Sequence, residues 1–188
     1  MPERSKSLLL KAFLLFVAIY LVSLLLWIQV KDYYGMVVTY TVSHIMTLVK
    51  DVAYEGMTRD GNIIQTTFIP LRHKSQFALE IPVNTSSYTF NMPLTIAIIS
   101  ALGPFIVRKG RAYTEALVIL FMVHLLYVFS LQAKELTDMF IRLGYEEMSR
   151  PRIFLYQFLW TFTDNMVIRF EPFLIGFYVY MRHRRKAS

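Results

Sequence analysis

The chain has 188 residues, no cysteine and a net charge of +7; it is 55% hydrophobic and 15% aromatic, with a mean hydropathy of +0.43. Soluble domains sit near ~45–50% apolar, and the excess here lies in uninterrupted apolar runs, so a single membrane domain is expected. The missing cysteine excludes disulfides, thiolate metal sites and a cysteine nucleophile.

Residues 8–30 (LLLKAFLLFVAIYLVSLLLWIQV) are the clearest span. At ~1.5 Å per residue, about 20 residues cross a ~30 Å hydrocarbon core. Lys11 is near enough to one end to snorkel, and Trp27 falls at the opposite boundary. The run is too long for a signal-peptide core and reads as a retained signal anchor.

Residues 35–55 place Val38, Val42, Ile45, Val49 and Val52 at helical spacing with polar residues between them. This pattern predicts an amphipathic helix lying on the membrane or the bundle. Over residues 59–83, Asp60-Gly61, the pair Ile63-Ile64 and the pair Thr66-Thr67 predict a small β-hairpin or pair of strands. Pro70 and the basic tip Leu71-Arg72-His73-Lys74 interrupt it. Asn84-Thr85-Ser86 is a glycosylation sequon, which has meaning only in a eukaryotic lumen.

Residues 91–107 and 112–131 are the second and third expected spans, and 153–181 the fourth. The fourth is aromatic, interrupted by Asp164, Asn165, Arg169, Glu171 and Pro172, and too long for one straight crossing. The fold class is thus an α-helical integral membrane protein with four transmembrane helices, plus an outer-face amphipathic helix and short β-hairpin within 31–90.

Charge orients it. Arg4 and Lys6 precede the first span, Arg108, Lys109 and Arg111 lie between the second and third, and Arg182, Arg184, Arg185 and Lys186 follow the fourth. With four spans these cations share one face, whereas segments 31–90 and 132–152 are charge-balanced. Both termini are therefore expected in the cytoplasm, with the protein in the inner (plasma) membrane. The positive charge is spent on topology, which argues against nucleic acid as a partner.

Ionisable groups within a bilayer cost roughly 2.5–3.5 kcal/mol at a helix centre, so each needs a reason. His124 in the third span reads either as a proton carrier or as an interhelical hydrogen-bond donor, the commoner role for a lone histidine. Asp164, Asn165, Arg169 and Glu171 are the densest polar group, and Asn165 and Arg169, four apart, share a helix face. A structural ion pair or a contact with another subunit suits them better than catalysis. Glu115 is expected to pair with the basic turn at 108–111. Ser86 and Ser87 carry hydroxyls that would act as nucleophiles only beside a base. The four histidines (His44, His73, His124, His183) lack metal-ligand spacing, and no cofactor motif occurs.

The order of elements resembles the exosortase/archaeosortase family of membrane-embedded transpeptidases. The likeness lies in an initial span, an amphipathic segment, a glycine-containing β-rich stretch (YEGMTRDGNIIQTTF, then FALEIPVNTSSYTFNMP) and a membrane re-entry. Where that family places its catalytic cysteine, this chain reads NTSSYTFNMP, and the arginine expected after the following helix is absent from HLLYVFSLQ. The resemblance implies a relative that has kept the scaffold and lost transpeptidase activity. The leading expectation is a non-catalytic scaffold or anchor subunit of a larger bacterial envelope complex, with the lipid bilayer and other membrane or envelope subunits as partners. A sortase-like enzyme using Ser86 or Ser87 with His124, or a small transporter or channel subunit, are the alternatives.

Overall fold

The computed structural model describes residues 3–71, 77–144 and 149–184, with side chains from residue 7 onward. The basic tip at 72–74 with His73, the side chains of Arg4 and Lys6, and Arg185 and Lys186 lie outside the described residues. The elements run α1 (Glu3–Val49), β1 (Val52–Asp60), β2 (Ile63–Pro70), β3 (Leu79–Asn84), α2 (Ser86–Thr89), α3 (Asn91–Leu102), a 3₁₀ turn (Gly103–Phe105), α4 (Lys109–Arg142), α5 (Arg150–Phe162), a π-helical turn (Thr163–Val167) and α6 (Ile168–His183). Among the described residues, three stretches are long and apolar enough to cross a membrane: Ser7–Val49, Ser86–Phe105 and Lys109–Arg142.

The expected break between the first span and a separate amphipathic helix does not occur. α1 is one helix of 47 residues. Lys31 and Asp32, at the start of the expected outer-face segment 31–90, pair with each other and are held by β1 and the turn that follows it. Lys31 Nζ donates to Asn62 Oδ1, and the Arg59 guanidinium donates to Asp32. Gly35 lies where a side chain would not fit, since a Cβ there would stand 2.6 Å from Thr85 Cγ2. The helix also ends earlier than expected: residues 52–55 belong to β1. Its buried stripe is displaced too. Val38, Val42 and Met46 are buried with Thr39 and Ser43, while Ile45 and Val49 are exposed. Polar partners inside draw Ser43 inward, as described below.

The chain forms two compact units. One contains residues 31–89 and 123–168 and is built on a three-stranded antiparallel sheet of order β1-β2-β3. One strand more than the expected hairpin or strand pair is present, because β1 is hidden in a stretch whose valines also fit helical spacing. Asp60 pairs with Ile63 across a two-residue connection, Gly61-Asn62. Gly61 takes φ +56, the left-handed value that the first position of a II′ hairpin turn demands. A bulge at Tyr54/Gly56 shifts the register of β1. β2 alternates, burying Ile64, Thr66 and Phe68, and β3 buries Leu79, Ile81 and Val83. Pro82 is tolerated because β3 is an edge strand.

Under this sheet lies a core of Met46, Val52, Phe68, Leu79, Ile81, Ala133, Leu136 and Phe140. Its last three members come from a segment read as a loop in sequence, 132–152. The structure extends α4 through Arg142 instead, so that Ala133, Leu136 and Phe140 recur on one helical face.

The other unit contains residues 1–30, 90–122 and 169–188. Ser23 Oγ donates to the Pro93 carbonyl (3.3 Å), tying α1 to α3. Ser100 Oγ and Tyr113 Oη, 2.7 Å apart, tie α3 to α4. α3 and α6 approach closely at Gly176, where a Cβ would sit 2.5 Å from Ile98 Cγ2. Small residues let membrane helices approach in this way. The fourth aromatic segment is helical throughout, its irregularity a wide turn that ends with Ile168 N–H bonded to the Thr163 carbonyl. Pro172 lies inside α6, and Ile168 is the residue whose carbonyl a proline four places on cannot bond.

Gly176→Ala should destabilise the protein by about 1–3 kcal/mol, because the β-branched Ile98 side chain has little room to yield. Ile98→Ala in the same chain should recover most of the loss. Thermal unfolding in detergent measures both, and an unchanged single variant would contradict the close approach.

Candidate functional site

Three of the residues singled out in sequence, His124, Asp164 and Ser87, meet in the sheet-bearing unit around an aromatic cluster. His124 is fully buried on α4. Its Nδ1 lies 2.7 Å from the Tyr34 hydroxyl of α1, so the phenol donates when that nitrogen is unprotonated. The rings of Tyr34 and Tyr88 stand edge-on to the imidazole, with centroids 5.6 and 5.1 Å away. Tyr88, also fully buried, leans on Tyr127 at 5.3 Å, and Tyr127 on Trp160 at 5.2 Å. The side chains of Ser87 and Asp164 lie beside the Tyr127 hydroxyl.

The geometry gives His124 Nδ1 a tyrosine partner. A nucleophile–base pair needs serine and imidazole within hydrogen-bond reach. Here Tyr34 occupies Nδ1, and Ser87 lies beside Tyr127. The Ser86 backbone N–H bonds Asn84 Oδ1 (3.1 Å), a local turn that starts α2. The sequon asparagine is thus used within the chain.

Nearer the sheet, the same unit holds a second set of buried polar groups. Gln132 Nε2 donates to Ser43 Oγ (2.9 Å) and approaches Thr66 Oγ1 (3.4 Å), while Thr66 Oγ1 donates to the Ile81 carbonyl (3.1 Å). Lys50 is buried, with Nζ donating to Thr137 Oγ1 (3.0 Å) and lying 4.2 Å over the Tyr156 ring. Sequence reasoning missed both Lys50 and Gln132. Lys50 falls among the polar residues of the expected amphipathic helix 35–55, and Gln132 just beyond the expected third span. The aromatic partners Tyr34, Tyr88 and Trp160 were missed for want of any local signal beyond their aromaticity. At the rim, Tyr54 packs against Tyr40, His44 and Phe68, and burial with the neighbouring Tyr40 raises its phenol pKa, so it stays neutral at physiological pH.

The remaining candidates are dispersed. Asn165 Nδ2 turns back to the Thr161 carbonyl of its own helix (3.0 Å), not onto a shared face with Arg169. Glu171 is buried in the other unit and accepts from Asn91 Nδ2 (2.8 Å), linking α6 to the start of α3. Arg169 is exposed and makes no ion pair among the described residues. Glu115 finds its nearest partners on α6, where His183 Nε2 lies 2.9 Å and Arg182 Nε 3.4 Å from Oε2, and Arg111 of the expected basic turn adds a longer-range attraction. Among the described residues no group of three or more His, Asp and Glu is placed to hold a metal.

The exosortase connection is taken up by the match to known families. Residues 7–182 match the family of exosortase H-associated membrane proteins. The chain belongs to that family. It is therefore a membrane component linked to exosortase systems, and the relationship expected from the order of its elements holds as an association with that enzyme class. Among curated proteins and solved structures, none matches the chain significantly.

Tyr34→Phe should cost about 1–3 kcal/mol, since it takes a partner from a buried imidazole nitrogen. A double-mutant cycle with His124→Phe in detergent unfolding should show that the two positions are coupled. Additive losses would mean that the 2.7 Å contact contributes nothing of its own.

Proposed function

We propose that this protein is a non-catalytic membrane subunit that scaffolds or anchors the exosortase its family accompanies, in the inner membrane of a bacterium. The observation that carries this reading is that the buried His124 meets the Tyr34 hydroxyl, 90 residues away in the chain, through Nδ1, so this polar contact holds helices together. The surface supports it. None of the most apolar window of α1 is buried, against 39% and 44% of the windows in the other two apolar stretches. Phe13 and Leu25 are 62% and 66% exposed. α5 buries no residue and carries the stacked rings of Phe154, Phe158 and Phe162. Such surfaces suit acyl chains or the helices of a partner. Arg169, exposed among aromatic residues, needs a carboxylate or a polar boundary there, and a neighbouring subunit can supply the first.

The topology we propose has four spans, the last formed by α5, the π turn and α6, within one membrane domain with both termini in the cytoplasm. The α3–α4 turn and the end of α6 adjoin, as Val107 N–H bonds the His183 carbonyl (3.1 Å). An out-and-back path through α4 and the fourth segment accounts for that. Residues 31–90 would then form the outer-face module. Reporter fusions in the β1–β2 turn after Gly61 and after Ser188 should report opposite sides of the membrane; both on one side would refute the path.

Arg169→Ala should reduce co-purification with the exosortase by roughly tenfold or more, as expected for one half of a desolvated charge pair. Ser86→Ala and Ser87→Ala should leave complex and function intact. A serine variant that assembles normally but abolishes function would overturn the scaffold reading in favour of a sortase-like enzyme. Solute or ion flux by the purified protein in proteoliposomes would do so in favour of a transporter.

A further inference from the structure

Four arginines converge at one end of the unit that contains residues 90–122 and 169–188. Val107, Arg108 and Arg111, from the α3–α4 turn and the first turn of α4, and Arg182, His183 and Arg184, at the end of α6, line a cavity of about 330 Å³. The volume falls at the lower end of the ~300–1,000 Å³ typical of small-ligand sites. Its walls are fixed by backbone bonding. Ile106 and Arg184 form an antiparallel bridge, and Val107 N–H donates to the His183 carbonyl. The two basic segments are thus joined in defined register, where a pair of loose tails would only be near each other.

The charge in this cavity exceeds its internal neutralisation. Glu115 accepts from His183 and faces Arg182, and Arg182 also donates to the Tyr178 hydroxyl. Among the described residues, Arg108, Arg111 and Arg184 form no ion pair. Three exposed guanidiniums held against a cavity are a costly arrangement unless an anion is shared between them. α4 begins beside them at Lys109, and the first N–H groups of a helix lack intrahelical acceptors and favour negative charge. Guanidinium forks match the oxygens of phosphate in bidentate geometry better than they match a spherical anion.

We propose that this cavity is a binding site for a phosphate-bearing anion, with the ends of α4 and α6 as its two jaws. Two sources carry that chemistry. The headgroup of an anionic phospholipid reaches a basic pocket at the end of membrane helices without leaving the bilayer, and free phosphate reaches it from solution. Positive juxtamembrane residues acting only as an orientation signal would need no fixed register and no cavity, so the bridge between Ile106 and Arg184 is what separates a site from a topology mark.

The test uses the full chain, purified in neutral detergent, and measures thermal stabilisation and lipid retention by native mass spectrometry. The probes are dioleoyl-phosphatidylglycerol, dioleoyl-phosphatidylcholine and inorganic phosphate. The variants are Arg108→Gln/Arg184→Gln and, as an equal-charge control outside the cavity, Arg142→Gln/Arg152→Gln. The expected result is saturable binding of phosphatidylglycerol that the cavity variant weakens by about tenfold or more and the control leaves unchanged. Competition by millimolar inorganic phosphate with the same variant dependence would assign the site to the free anion; no competition would assign it to the lipid. Equal retention of phosphatidylcholine, or equal weakening by the control, would overturn the proposal. If the double variant is not monodisperse, Arg111→Gln alone replaces it, and unchanged phosphatidylglycerol affinity in that variant likewise overturns the proposal.

Discussion

Polar groups carried on apolar helices must be answered from within the chain, because hydrocarbon offers no hydrogen bonds. Much of the described architecture follows from how that demand is met. His124 takes Tyr34 and Glu171 takes Asn91. Gln132 takes Ser43, and Lys50 takes Thr137. Each partner lies at least 80 residues away in sequence. None can form until helices are correctly registered, and a one-residue slip in α1 or α4 would break several at once. Such bonds are modest in net energy, about 0.5–1.5 kcal/mol each. Their loss is expensive because an unanswered group is left behind, so they act on register more than on total stability.

The same demand explains the length of the helices. α1 has 47 residues and α4 has 34, where about 20 suffice for a crossing. The excess in α1 carries Thr39, Ser43 and Met46 towards the strands, and the excess in α4 brings Gln132, Leu136 and Phe140. A three-stranded sheet of this size is marginal alone. Here its apolar face, Phe68, Leu79 and Ile81, is covered by those helix extensions, while the opposite residues of β3 remain exposed. The sheet is stable because helices supply the second layer of its core.

Local patterning disclosed the apolar spans, the alternation of Ile64, Thr66 and Phe68, the turn at Gly61 and the membrane class. Patterning misled wherever a distant partner overrode a local signal. Lys31-Asp32 looks like a membrane exit, yet the two pair with each other, Arg59 and Asn62 hold them, and the helix runs on. Val52 fits the helical stripe of 35–55, yet its pairing with Pro70 places it in a strand. Residues 132–142 are charged enough to read as loop, and only the recurrence of Ala133, Leu136 and Phe140 on one face betrays the helix. For the candidate site, the sequence named His124, Ser87 and Asp164 but not what joins them. Tyr34, Tyr88 and Tyr127 carry no mark that separates them from the other tyrosines, because their roles arise from packing between elements distant in the chain.

Glu171 and Arg169 show how far type and spacing carry a functional argument. Two residues apart on α6, they read as one polar group in sequence, and an ion pair between them would have made both structural. A helix turns about 200° over two residues, so the two side chains cannot share a face. Glu171 goes inward to Asn91, and Arg169 stays exposed. The acid is therefore part of how the protein is built, and the base is left for something outside the chain. The division recurs at the end of α6, where Glu115 engages His183 and Arg182 and leaves Arg184 exposed beside Arg108 and Arg111. In both places an acid joins two helices, and arginines are left exposed beside it. That distribution is the one that the proposed partner surface and the proposed anion site both call for.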